Sequence, residues 1–184
     1  MSTLYFSSIN TPLTRLKFDA LDMTEIPKRL IDYLNDNRVQ YEIFHQPAVA
    51  NESAAKIRKS GLARFHAKIV MLKAGRQHLL TVVPQGTTVD LDRLGKFVGE
   101  SVRLDTAEEF KCLFPDCVTD AIPPFGNLYG LPTFADTNLS RNGYIVFPAG
   151  TPNDYIKLTY STYNRIAQPQ VGAFSVKIRS RHSE

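Results

Sequence analysis

The chain has no tryptophan, only two cysteines and no apolar run long enough to cross a membrane. Its N-terminus lacks the apolar core of a secretory leader, so the expected location is the cytoplasm and no membrane partner is expected. Cys112 and Cys117 stand in a C-x4-C spacing with no second Cys or His pair beside them. That is poor zinc spacing; the pair reads as reduced, part-buried thiols, and no metal or cofactor is expected. No Ser-His-Asp or Cys-His order suggests a nucleophilic triad. Internal repeats and low-complexity tracts are absent, which excludes solenoid and linker-type architectures. Charge is also in short supply. A net charge of +4 and a pI near 9.1 permit a polyanion partner without demanding one.

What is present is enough apolar material for one domain with extensions. Hydrophobic residues make up 43% of the 184, with 11 Phe and 8 Tyr. Residues 1–22 lack periodicity and read as an N-terminal extension, 23–167 as the domain, and 168–184 as a basic C-terminal extension. Within the domain, Ile26, Leu30, Ile31 and Leu34 fall on one face of a helix, with Thr24 as its cap, Pro27 in its first turn and Asn37 as its stop. A short strand is expected over 40–45, and a second helix over 52–60 between an Asn51 cap and Gly61. Residues 67–74 and 78–84 are β-rich and read as a hairpin joined through Gly75, Arg76 and Gln77.

Further on, 90–97 reads as a short helix, and Asp105 with Glu108 resembles a capping box opening another. Strands are expected at 131–135, 144–147 and 155–158, a helix over 159–167, and an alternating edge strand over 173–180. Helices and strands mix without a βαβ rhythm. The expected class is α+β, with a mixed, largely antiparallel sheet flanked by short helices.

One segment stands apart from ordinary elements. Ala121-Ile122-Pro123-Pro124-Phe125-Gly126 interrupts an apolar stretch with two prolines and a glycine, and Leu131-Pro132-Thr133-Phe134-Ala135-Asp136 follows. Proline fixes φ and removes a donor, so the backbone here reads as a rigid wall with amides free to face a ligand. Upstream, Lys68 enters the apolar strand Ala67-Lys68-Ile69-Val70-Met71-Leu72.

Taken with Tyr41-Glu42-Ile43-Phe44-His45-Gln46-Pro47, Ser53-Ala54-Ala55, Asp90-Leu91-Asp92-Arg93-Leu94 and Phe147-Pro148-Ala149-Gly150, these pieces in this order resemble the YbaK/aminoacyl-tRNA-synthetase-associated editing domain, of the free-standing type. The resemblance runs from about Thr24 to Ala167. It implies a trans-acting deacylase that hydrolyses the ester of mischarged tRNA, typically Ala- or Cys-tRNA(Pro). The tRNA acceptor end would be its partner and prolyl-tRNA synthetase a candidate second one. One departure is visible: the family's G-x-x-x-P loop has Asp120 or Ala121 where glycine is usual. A side chain there would narrow the aminoacyl pocket or tilt the amides. The competing reading is therefore a catalytically inactive module of the same fold that binds aminoacyl-tRNA or an aminoacyl-nucleotide. A third is a partner-binding domain using the two extensions.

The site residues carry both plain and functional readings. Composition alone makes Lys68 a strand-end lysine snorkelling to water; the resemblance makes it the group that holds the terminal adenosine or stabilises the oxyanion. Gly126, with Pro124 and Phe125, belongs to the wall of amides. His45 is a polar strand end or a pocket residue, and Asn51 a helix cap that the family places near the pocket. Asp120 is a solvated loop residue or an ammonium-binding carboxylate, Ala121 a pocket-narrowing side chain. Asp136 receives a backbone N–H in a turn or binds ribose. His66 and His78 are expected to face solvent. A mechanism without a protein nucleophile fits best, with the protein supplying position and amides.

Overall fold

The computed structural model describes residues 25–45 and 63–178. The Thr24 cap, the helix over 52–60, Asn51 and the basic residues after 178 lie outside the described residues.

The first helix, α1 (Lys28–Asp36), has Pro27 at its N-cap and Asn37 at its C-cap. Its apolar stripe buries Leu30 and Leu34 completely, with Ile26 and Ile31 packed beside them. Each such leucine contributes about 1.5–3 kcal/mol relative to exposure. Strand β1 (Glu42–His45) follows. The hairpin is β2 (Ala67–Ala74) with β3 (Gln77–Pro84), and Ala74 pairs directly with Gln77. Its turn is therefore Gly75-Arg76 alone, tighter than the sequence suggested, with Gly75 at φ +53° as a two-residue hairpin requires. After β4 (Thr87–Val89), helix α2 (Leu91–Val98) starts where Asp90 accepts a bond from the Arg93 N–H at 3.1 Å. It stops at Gly99 in the left-handed conformation.

Strand β5 (Val102–Leu104) leads to the short helix α3 (Ala107–Phe110). The capping box there is Thr106 with Glu109, one residue later than expected. Asp105 instead pairs with the His78 imidazole, Oδ2 against Nδ1. Strands β6 (Thr133–Asp136), β7 (Tyr144–Pro148) and β8 (Asp154–Thr159) come next, then helix α4 (Tyr160–Ala167), capped by the Thr159 hydroxyl. The chain continues through β9 (Gln170–Gly172) and β10 (Ser175–Lys177). Phe174 between them is 1% exposed, so residues 168–178 are built into the fold and do not trail from it.

The strands form a five-stranded sheet ordered β5-β2-β3-β6-β9, a three-stranded sheet β1-β8-β7 and the pair β10-β4. Pairings β3–β6 and β6–β9 are parallel; every other strand pairing is antiparallel. This is the α+β, mixed-sheet architecture that the pattern of elements implied. The large sheet is covered on both faces. Met71, Leu80, Val82 and Ala135 meet α1, α4 and the three-stranded sheet; Leu72, Leu79, Val83 and Phe134 meet α2, Val89 and Phe174. A parallel bridge from His66 to Val146 ties the start of β2 to β7.

Candidate active site

The proline-rich wall is closed. Every residue from 121 to 126 is buried. Prolines lack N–H groups, so residues 123–126 own two, and both are used internally. The Phe125 N–H donates to the Pro123 carbonyl at 2.9 Å and the Gly126 N–H to Thr133 Oγ1 at 3.1 Å. The expectation of free amides at Gly126 fails for this reason: the segment turns on itself and satisfies its own donors. Gly126 is needed for close approach instead, since a Cβ there would sit 2.5 Å from Thr133 Oγ1 and 2.7 Å from the Leu131 carbonyl oxygen. Phe125 is an interior anchor, with edge contacts to Tyr33, Phe147 and Tyr163 at ring separations of 5.7, 5.4 and 5.7 Å. Pro124 is buried beside it. These residues hold the wall rigid from behind.

Asp136 is likewise closed. One carboxylate oxygen accepts from the Asn138 backbone and side-chain amides at 2.9 and 2.7 Å; the other accepts from the Phe174 and Ser175 N–H groups at 2.9 and 2.7 Å. It is fully buried, so the structural reading replaces ribose binding.

A different turn joins the segments that carry the outward-facing Asp120 and His45. The Gly150 N–H donates to the Ala121 carbonyl, and the Val118 N–H to the Gly150 carbonyl, both at 2.8 Å. These two bonds lock the loop carrying Asp120 and Ala121 to the turn after β7. Ala121 is buried at 2% exposure, and Asp120 stands exposed at the outer rim. The same turn leads into Thr151 and Asp154. Asp154 opens β8 on its buried face and pairs in register with His45, the last residue of β1. A carboxylate at the margin of a core needs partners. It has them in the His45 imidazole, Nδ1 to Oδ1 2.8 Å, and in the Thr151 hydroxyl.

Tyr155, next along β8, carries the ring of His66 at 5.3 Å. His66 is buried, contrary to expectation, and desolvation pushes its imidazole down to about 4, so it is neutral at pH 7. His78 is only partly exposed because it rests on the buried Asp105. Lys68 lies two residues beyond His66 on the same side of the strand, exposed, with Val83 as its register partner. Its strand position thus puts it at the open end of a face that farther along is apolar. The sequence marked His45, Lys68, Asp120 and Ala121 as candidates; it did not mark Thr151, Asp154 or Tyr155, nor the burial of His66. The available signal was the Thr151-Pro-Asn-Asp154 spacing, a T-x-x-D pattern that closes reciprocally, with the Asp154 N–H donating to Thr151 Oγ1 at 3.0 Å.

The buried thiol is unsuited to a nucleophile's role. Cys112 is exposed; Cys117 is buried, and burial pushes its thiol up to about 11 despite a contact with the Tyr129 hydroxyl at 3.2 Å. Treatment with iodoacetamide at pH 7 is expected to modify Cys112, leave Cys117 unmodified by peptide mass spectrometry, and leave catalysis intact. Loss of activity in step with Cys117 labelling would contradict this. Among the described residues no cluster of three or more His, Cys, Asp or Glu could hold a metal ion. None of the described helices is long and apolar enough to cross a membrane.

The family model for the aminoacyl-tRNA editing domain matches residues 45–166. The chain belongs to that family. It is thereby, by class, an aminoacyl-tRNA deacylase, a hydrolase of aminoacyl esters on tRNA. The match opens at His45 and includes Lys68, the closed wall and the paired turn of Ala121 and Gly150. The multifunctional Ser/Thr-tRNA deacylase ProXp-y of Escherichia coli K12 is 30% identical over 164 residues, covering 83% of this chain and 98% of that protein. The protein of the same name from Escherichia coli O157:H7 aligns identically well. Among solved structures, a proposed trans-editing enzyme for prolyl-tRNA synthetase superimposes with a TM-score of 0.69 at 20% identity, over 80% of this chain and 95% of that one. A hypothetical protein, APE2540, gives 0.72 at 13% identity over 81% and 100%. At such identities the structures support the fold alone, an editing-domain fold.

Proposed function

We propose that this editing domain acts in trans, in the cytoplasm, to remove a small hydroxylated aminoacyl group, seryl or threonyl, from the 3′ end of tRNA. The observation that carries the choice of substrate is the 30% identity, over 83% of this chain and 98% of the relative, to a Ser/Thr-tRNA deacylase. The broader resemblance to prolyl-tRNA editing domains points to Ala- and Cys-tRNA(Pro) instead, and the same experiment separates the two. In either case the stretch 123–126 supplies shape and not amides, so we assign the charged work to side chains. Lys68 is exposed at the end of β2. An ammonium there can hold a phosphate of the acceptor end or the oxyanion that develops during hydrolysis. No protein nucleophile is required, because a bound water next to the ribose can be the attacking group.

The test is purified protein mixed with Ser-, Thr-, Ala- and Cys-charged tRNA, with ester loss followed against spontaneous hydrolysis. Faster loss of Ser and Thr esters is the expected result; faster loss of Ala and Cys would move the substrate to tRNA(Pro) editing. Spontaneous rates for all four, with tRNA still bound, would favour the non-catalytic binder. What recommends that second reading is Asp120 or Ala121 standing where the family usually has glycine, in a loop whose Ala121 N–H is already donated to the Val118 carbonyl. Lys68→Ala is expected to lower the single-turnover rate by about 10²-fold, in line with loss of one oxyanion donor, while an exposed position keeps the melting temperature unchanged. A rate within a few-fold of the parent would remove Lys68 from the site.

A further inference from the structure

The imidazole of His45 is oriented in the way a proton-transfer group must be. Its Nδ1 lies 2.8 Å from Asp154 Oδ1, and a carboxylate can only accept, so Nδ1 carries a proton, and in the neutral ring Nε2 holds the lone pair. The carboxylate is itself fixed. Its other oxygen accepts from the Thr151 hydroxyl at 2.5 Å, and Thr151 is 1% exposed and Asp154 8%. The His45 side chain, by contrast, is 66% exposed, so the imidazole is anchored at one nitrogen and open beyond it. Beside the pair, Asn153 has a buried Oδ1 with no hydrogen-bond partner in the protein. That acceptor has a natural complement in the α-ammonium of an aminoacyl ester. The turn bearing these groups is the one bonded to Ala121.

We propose that His45, positioned by Asp154 and Thr151, transfers the proton in aminoacyl-ester hydrolysis. As the water oxygen bonds to the ester carbonyl carbon, Nε2 takes one of its protons. As the carbon–oxygen bond to the ribose breaks, the imidazolium returns that proton to the leaving ribose oxygen. The products are the free amino acid and tRNA with its hydroxyl restored, and the imidazole ends as it began. The inference rests on the deacylase reading and deepens it by assigning the general acid–base. Asp154 is a positioning residue, holding the tautomer and ring angle.

The experiment compares the parent with His45→Ala and Asp154→Asn on Ser- and Thr-tRNA, with circular dichroism and tRNA affinity measured alongside. His45→Ala is expected to lower kcat by about 10²-fold or more with KM within a few-fold, and added imidazole to restore part of the rate. Asp154→Asn should lower kcat in the same direction, without rescue by imidazole. His45→Ala within threefold of the parent would overturn the assignment, as would a fall in rate that imidazole leaves untouched or a loss confined to tRNA affinity. Because His45 is exposed, its variant reports even if Asp154→Asn misfolds. A parent that cleaves none of the esters defeats the deacylase reading and this inference together. A parent that cleaves while His45→Ala equals it defeats the inference alone.

Discussion

Gly150→Ala is expected to lower stability by about 2–6 kcal/mol and to abolish most of the activity of whatever fraction remains folded. Two independent effects add. The residue has φ +92°, a conformation that a Cβ strains by about 1–3 kcal/mol. The added Cβ would also lie 2.4 and 2.5 Å from Cδ and Cγ of Pro27, with Cys117 Sγ at 3.4 Å. A proline ring cannot swing aside, and Pro27 is the N-cap of α1, so either the helix or the turn must move. Overpacking of that kind adds about 1–3 kcal/mol. If the turn moves, its bonds to Val118 and Ala121 stretch and Thr151 and Asp154 shift with it. Urea denaturation gives the stability change; a midpoint displaced by less than 1 kcal/mol equivalent would show that the turn has slack the geometry does not reveal.

Asp136→Ala is expected to be comparably severe, by about 3–5 kcal/mol. It strands the Asn138, Phe174 and Ser175 N–H groups, each costing about 1–3 kcal/mol where water cannot reach, offset in part by solvation at the less buried Ser175. The same carboxylate makes stability depend on pH. Burial alone would raise its pKa, but the bonds from the Asn138, Ser175 and Phe174 N–H groups outweigh burial and hold it below the usual carboxylate value. A lowered native pKa means that the contribution is complete above the unfolded-chain value, about 3.9, and is lost as pH falls from there through the native value. Urea midpoints for the parent and Asp136→Asn at pH 7 and pH 3 test this. The two should converge toward acid, and an unchanged gap would assign the acid sensitivity elsewhere.

The elements with a local signature were legible in the sequence. Leu30 and Leu34 declare α1 by spacing alone, Gly75 declares the hairpin, and the pattern over 159–167 declares α4. Strands β4, β5 and β9 are each three residues long and carry too little alternation to read. The wall misled for a reason specific to its chemistry. Proline reports missing donors, yet it cannot report that Phe125 and Gly126 turn back onto Pro123 and Thr133. Of the candidate site, His45, Lys68, Asp120 and Ala121 could be singled out as residues, but the pairing of His45 with Asp154 depends on a strand register set between distant segments. Asp136 was identifiable as polar and conspicuous, and its actual partners, Phe174 and Ser175, lie in a stretch that reads as a tail.

That distant register has a consequence for the order in which the molecule is made. Strand β1 pairs with β8, and His45 and Asp154 are 109 residues apart. On a ribosome the N-terminal strand emerges long before its partner and must wait, with an unpaired edge, until the second half of the domain follows. Closing a loop of that length is entropically slow compared with forming the β2–β3 hairpin, which needs neighbouring residues only. The hairpin and its apolar faces can therefore assemble early, and the pairing that completes the proposed acid–base group comes late. A nascent chain halted before residue 154 would carry Lys68 in place and no partner for His45, so competence in hydrolysis would arrive as one of the last events of folding.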